Sequence, residues 1–176
     1  MQSRDSVTFF KSYLEQRKQK VFLNGKFSSE GVVKYGVPQG SILGPTLFCM
    51  FINYLPLHLS HAEVLCEMFA DDSTLHTADK ELDVIKHRLQ ISLGEVSLWC
   101  KANAMLLNPA KTESMVIATR QKHQLGPLDL NLKCENTNIT QVSKHKLLGV
   151  IIDKELQWQP HVDKLSKCIA QKLYIY

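Results

Sequence analysis

The spacing of hydrophobic positions changes several times along the chain, and each change predicts an element. Residues 9–19 carry Phe10, Leu14 and Arg17 at helical intervals, which predicts a short helix. Residues 20–27 contain VFLNGKF, whose Asn24-Gly25 pair suits a two-residue hairpin turn because both positions tolerate positive φ. Residues 31–35 read as a strand, after which Gly36, Pro38, Gly40 and Gly44-Pro45 interrupt any regular pattern. Residues 46–55 are apolar nearly all round, as in a buried helix, and Pro56 should end it. Residues 64–69 and 73–77 are strand-like and joined by Ala70-Asp71-Asp72. Residues 80–101 then place Leu82, Ile85, Leu89, Leu93 and Val96 on one stripe, the clearest amphipathic helix in the chain. Residues 112–118, 129–133 and 147–152 read as strands, and residues 161–176 as a helix with Val162, Leu165, Ile169 and Leu173 in register. This order predicts an α+β fold with helices on one face of an antiparallel sheet.

Composition narrows the class. With 176 residues, 44% of them hydrophobic and 22% charged, the chain can bury a core and does not have the make-up of a disordered segment. The opening MQSRDSVTFF has no apolar signal core, and the apolar stretch over 42–59 is broken by Pro45, Asn53 and Pro56, so neither secretion nor a membrane span is expected. Five cysteines form no CxxC pair, which together with the missing signal predicts free thiols and an intracellular protein, cytoplasmic or nuclear. His58 and His61 have ligand-like spacing, but no Cys or second His pair completes a metal site.

Charge is unevenly placed. Residues 1–35 hold seven Lys/Arg against three acids, residues 36–79 none against five, and residues 80–176 fourteen against nine. An acidic island between basic flanks suits a metal-dependent enzyme acting on a polyanion, and equally a buried segment that happens to lack lysines.

Two segments carry candidate chemistry. Adjacent carboxylates at a tight strand connection, Asp71-Asp72, offer hard oxygen ligands of the kind Mg²⁺ takes alongside substrate phosphates. The alternative is a polar turn in which Asp72 or Ser73 accepts local backbone hydrogen bonds. The loop Gly36-Val37-Pro38-Gln39-Gly40-Ser41 lets backbone approach another chain closely, and Ser41 could cap the following helix. The alternative here is a simple turn leading into that helix.

In combination these pieces are specific. GVPQGSILGPTLFCMFINYLP followed by FADDSTL resembles the reverse transcriptases of non-LTR (LINE-type) retrotransposons. GVPQGS is similar to their motif B, and Phe69-Ala70-Asp71-Asp72 to the [FY]-A-D-D of motif C. LLNPAKTE is similar to motif D, and Leu147-Leu148-Gly149-Val150 to motif E, the primer grip. SYLEQRKQKVFLNGKFS resembles the stretch before motif B, and LQWQPHVDKLSKCIAQKLY the opening of the thumb.

The resemblance implies a partial palm with fingers over residues 1–154 and the start of a thumb helix over 155–176. It implies that Asp71 and Asp72 coordinate Mg²⁺ or Mn²⁺ for two-metal nucleotidyl transfer. Gln39, Gly40 and Ser41, with Phe69 and Ala70, would line the nucleotide and template site. Leu148, Gly149 and Val150 would form the primer grip. Lys111 is either a general acid for the leaving pyrophosphate or an exposed lysine at a strand start. The implied partners are an RNA template, a DNA primer and deoxynucleoside triphosphates. Arg17, Lys18, Lys20, Lys164, Lys167 and Lys172 either contact phosphates or form solvated faces.

Two departures matter. Tyr54 stands where the family usually has Asp in I-N-D-L-P. No strand before SYLEQR supplies the motif A aspartate, and Asp5 lies in a polar stretch without strand pattern. Two carboxylates without the third should hold the metals weakly, and an unpaired apolar sheet edge invites aggregation or self-association. The expectation is a polymerase fragment that is marginally folded and nearly inactive alone. The competing expectations are a non-catalytic nucleic-acid-binding remnant of the palm and a chain with no molecular function.

Overall fold

A computed structural model describes residues 2–174. The chain divides into two compact units, Met1–Tyr54 and Leu55–Tyr176.

In the first unit, α1 spans Gln2–Leu14, starting earlier and ending sooner than the expected helix over 9–19. The helix stops because Gln16 turns left-handed at φ 53°, so Arg17 leaves the helical face, and its Nε donates to the otherwise orphaned carbonyl of Leu14 at 3.1 Å. A nested hairpin follows. β1 (Lys18–Gln19) pairs antiparallel with β4 (Gly31–Val32), and between them β2 (Phe22–Leu23) pairs with β3 (Lys26–Phe27). Asn24 and Gly25 turn this inner hairpin with φ of 50° and 77°, as the sequence predicts. The Phe22 and Phe27 rings face each other across the strands at 4.7 Å.

α2 covers Gly44–Ile52, with Pro45 in its first turn where a missing N–H costs nothing. Contrary to the expected buried helix over 46–55, only Gly44 and Ile52 are buried, and Met50 and Phe51 are exposed. Apolar composition alone therefore does not report how much of α2 is covered.

In the second unit, a 3-10 turn at Leu55–His58 leads to the hairpin of β5 (Leu65–Phe69) and β6 (Asp72–His76). The connection is two residues, Ala70-Asp71, and Asp72 belongs to the strand. α3 (Leu82–Ala102) carries the predicted stripe. Leu93 forms a core with Leu130, Leu132, Cys134 and Ile139, against which Leu82, Ile85 and Leu89 pack. Each fully buried Leu contributes about 2 kcal/mol.

The remaining strands are short: β7 (Glu113–Ser114), β8 (Lys133–Cys134), β9 (Thr137–Asn138) and β10 (Thr140–Gln141), with α4 (Arg120–Gln124) after β7. They are followed by β11 (Lys144–Leu147), β12 (Val150–Asp153) and α5 (Gln159–Leu173). The strand expected over 129–133 is broken by left-handed Asn131 at φ 47°. Glutamine side chains stand in for strand partners there. Gln141 accepts from Leu130 N–H and donates to Leu128 O, while Gln90 on α3 bridges the N–H and C=O of Lys133. Residues 147–152, expected as one strand, form instead the β11–β12 hairpin, which reverses at Leu148-Gly149 with φ of 47° and 92°.

The α+β mixture stands, but the single antiparallel sheet does not. Among the described residues the strands form six separate pairs, of which β7–β10 is parallel. Two-residue strands cannot propagate a ladder, and the Gln90 amide occupies the backbone groups of Lys133 in β8. Val162, Leu165, Ile169 and Leu173 share one stripe of α5 and are all exposed. The last two residues of the helix expected over 161–176 lie outside the described residues. No helix among the described residues is long and apolar enough to cross a membrane.

Candidate active site

The tip of the β5–β6 hairpin brings Phe69, Ala70, Asp71 and Asp72 together. Phe69 pairs with Asp72, leaving Ala70 and Asp71 as the turn, and Ala70 holds the positive φ, 53°, that primed hairpin turns require at their first position. This left-handed residue is an alanine, so the tip stores strain. Asp71 and Asp72 are exposed, and among the described residues neither carboxylate accepts a hydrogen bond or joins an ion pair. The hydrogen-bonded polar turn weighed from the sequence is therefore not what forms.

Two of the other acids of the island behave differently. Asp79 and Glu63 both pair with Arg88, at 3.1 and 3.9 Å. Glu81 N–H donates to Asp79, and this bond, assisted by Arg88, holds the Asp79 carboxyl below the ordinary range even though burial opposes it. Glu67 was not singled out from the sequence. Its register partner is Thr74, so it lies on the Asp72 face of the hairpin, diagonal to Asp72. Only the pairing register reveals this. Beside it, burial and then the Glu67 charge push the Cys66 thiol up.

As a donor set, Asp71 and Asp72 fit a hard divalent cation that takes one or two protein carboxylates plus phosphate oxygens. Among the described residues no three His, Cys, Asp or Glu side chains gather closely enough to hold a metal ion by themselves.

The loop over residues 36–41 lies in the first unit. Gly36 and Gly40 are left-handed at φ of 81° and 75°. Ser41 Oγ donates to Pro38 O at 2.7 Å and accepts from Gly44 N–H at 3.1 Å, so Ser41 does satisfy the start of α2. A Cβ on Gly44 would lie 2.8 Å from Ser41 Oγ and 3.0 Å from Pro38 O, so this close approach needs glycine. Gln39 and Gly40 are exposed at the apex.

Leu148, Gly149 and Val150 form the tip of the β11–β12 hairpin, where Leu148 is exposed and a Cβ on Gly149 would meet nothing. Lys111 is exposed on a turn held by Asn108, which accepts from Ala110 N–H, Lys111 N–H and Thr112 Oγ1, immediately before β7. Its ammonium has no partner among the described residues.

The candidate phosphate contacts split. Lys18 and Lys20 pair with Glu30, and Arg17 donates to backbone carbonyls. Lys164, Lys167 and Lys172 on α5 carry no ion pair among the described residues.

Comparison with known proteins agrees with the motifs. Residues 2–152 match the family profile described as reverse transcriptase (RNA-dependent DNA polymerase). Over 168 residues the chain is 31% identical to a probable RNA-directed DNA polymerase from transposon BS of Drosophila melanogaster. It is 29% identical to the RNA-directed DNA polymerase from mobile element jockey of the same species. It is 27% identical over 165 residues to a probable RNA-directed DNA polymerase from transposon X-element, also of that species. Each match covers 93% of this chain and 18% of the relative, so the chain spans under a fifth of the length of these proteins. No solved structure matches it significantly. With the family profile covering most of its length and the B, C, D and E motifs in order, the chain belongs to the reverse transcriptase family of non-LTR retrotransposons.

Proposed function

We propose that these residues are the motif B to motif E portion of an RNA-directed DNA polymerase, with palm and fingers over 1–154 and the thumb beginning at 155. The observation that carries this reading is the β5–β6 tip, where two adjacent carboxylates stand exposed and without a partner among the described residues. Carboxylates left unbonded by the fold are available to a cation and to the phosphates it brings.

In the reaction, the primer 3′-hydroxyl loses its proton to solvent and its oxygen forms a bond to the α-phosphorus of a deoxynucleoside triphosphate. The bond from that phosphorus to the bridging oxygen breaks, and pyrophosphate leaves. Asp71 and Asp72 would hold the divalent ions, which supply charge neutralisation at the transferring phosphoryl group. Lys111, with an unpaired ammonium, donates a proton to the departing pyrophosphate. Gln39, Gly40 and Ser41 of the first unit would contact the template–nucleotide pair, and Phe69 and Ala70 of the second unit would contact the nucleotide. The Leu148-Gly149-Val150 tip rests on the primer backbone, an approach that the side-chain-free Gly149 allows. Two carboxylates are fewer than the three the family uses, so residues 1–176 alone bind the ions weakly and extend a primer poorly.

The test is Mg²⁺- or Mn²⁺-dependent extension of a DNA primer on an RNA template. It compares the 176-residue chain with its Asp71→Asn/Asp72→Asn variant, each with and without a motif A segment from a relative. Extension that needs both the added segment and the two aspartates supports the reading. Salt-sensitive template binding that survives the double substitution, with no extension under any condition, would favour a non-catalytic nucleic-acid-binding module.

A further inference from the structure

We infer that Arg17 is a positioning residue for the loop over residues 36–41, acting through backbone carbonyls rather than through phosphate. The inference rests on the reading above that this loop meets the template–nucleotide pair. Arg17 lies nineteen residues before Gly36, yet its Nη2 donates to the carbonyls of Tyr35, at 3.4 Å, and of Gly36. Its Nε donates to Leu14 O at the end of α1, and its own carbonyl accepts from Val33 N–H at 2.8 Å. One planar guanidinium thus joins the end of a helix to Tyr35 and to the left-handed glycine that opens the loop, while the Arg17 backbone carbonyl ties the same residue to Val33, just after β4.

The far end of the loop is held independently by Ser41, which bonds Pro38 O and Gly44 N–H. Both feet are fixed, and the apex, Gln39-Gly40, is exposed, with the Gln39 amide unpartnered among the described residues. An arch of this kind presents its apex with little left to order on binding. No acidic side chain pairs with Arg17 among the described residues, so its work is the fork to the carbonyls. A lysine keeps the charge and loses the fork.

The experiment measures affinity of the full chain for a recessed DNA primer annealed to an RNA template, across a salt series. The proteins are the unaltered chain, Arg17→Lys, Gln39→Ala, the double variant and Ser41→Ala, with thermal unfolding recorded for each. Arg17→Lys is expected to weaken binding about tenfold with an unchanged salt slope. Gln39→Ala weakens it similarly, and the double variant is little worse than either single one, because both act through the same arch. Ser41→Ala, which frees the opposite foot, reproduces the Arg17→Lys loss and carries the test if Arg17→Lys does not fold.

Wild-type affinity in Arg17→Lys or in Ser41→Ala overturns the inference. So does a salt slope reduced by about one, which marks a direct phosphate contact, and so does strict additivity with Gln39→Ala. Unchanged binding by Gln39→Ala instead overturns the reading of the loop itself, whatever Arg17 does.

Discussion

Two of the second unit's hairpins, β5–β6 and β11–β12, are built alike and used oppositely. Each has a two-residue turn that opens on a left-handed non-glycine residue, Ala70 at φ 53° in one and Leu148 at φ 47° in the other. Each also carries aspartate at a strand end. In β11–β12 it is Asp153, 7% exposed, whose carboxylate accepts from the N–H groups of Glu155, Gln157 and Trp158. Burial alone would raise its pKa, but the bonds from Gln157, Glu155 and Trp158, with Lys144 nearby, outweigh it and hold the carboxyl below the ordinary range. In β5–β6 the aspartates are exposed and accept no hydrogen bond among the described residues. The same side chain is thus consumed by the fold where backbone N–H groups converge on it, and left for a ligand where they do not.

The contrast can be broken in several ways. The largest effect is on activity. With a motif A segment supplied, Asp71→Asn/Asp72→Asn should lower primer extension by about a hundredfold or more, while Asp153→Asn, assayed below its melting temperature, should leave extension largely intact. Equal losses from the two changes would erase the distinction.

Stability should show the reverse. Asp153→Asn gives up charge-assisted acceptance from the three N–H groups and should lower the melting temperature by several degrees, whereas the Asp71/Asp72 double variant should change stability by no more than about 0.5 kcal/mol. The pH dependence follows in sign. Because folding lowers the Asp153 pKa, its stabilisation is complete above the unfolded value, about 3.9, and is lost as pH falls through the lower folded value. Asp153→Asn should therefore flatten the acid limb of the stability curve, measured by thermal unfolding between neutral pH and acid.

A smaller effect concerns the turns themselves. Ala70→Gly relieves left-handed strain and should stabilise the chain by about 1 kcal/mol in denaturant unfolding. Any accompanying loss of extension would mean that the strained tip helps to aim Asp71 and Asp72. Smallest of all, Lys111→Ala, at an exposed and unpaired side chain, should leave stability unchanged within about 0.5 kcal/mol. Extension that also stays unchanged would remove Lys111 as the proton donor.

Much of this was readable before any coordinates. The Asn24-Gly25 turn, the Leu82-to-Val96 stripe and the ordered B, C, D and E motifs are local patterns, set by φ preferences and helical period over a few neighbouring residues. The motif C residues were legible for the same reason, being contiguous. Other expectations were not met. The α2 segment has the composition of a buried helix, yet whether an apolar surface is covered depends on what lies across from it, and here much of it is exposed. The strand expected over 129–133 did not form because Asn131 turns left-handed there, and glutamine amides bond the neighbouring backbone instead.

The amino-acid sequence by itself determined the family, the Asn24-Gly25 turn and the amphipathic helix, since each depends on spacing within a short window. Only the tertiary structure decided that Asp153 is enclosed by N–H groups while Asp71 and Asp72 are not, that Glu67 shares a hairpin face with Asp72, and that Arg17 reaches the carbonyls of Tyr35 and Gly36. Those outcomes turn on chain reversals and side-chain reach that bring separated groups to within hydrogen-bond distance, and a donor or acceptor carries no mark in the sequence of which partner it will find.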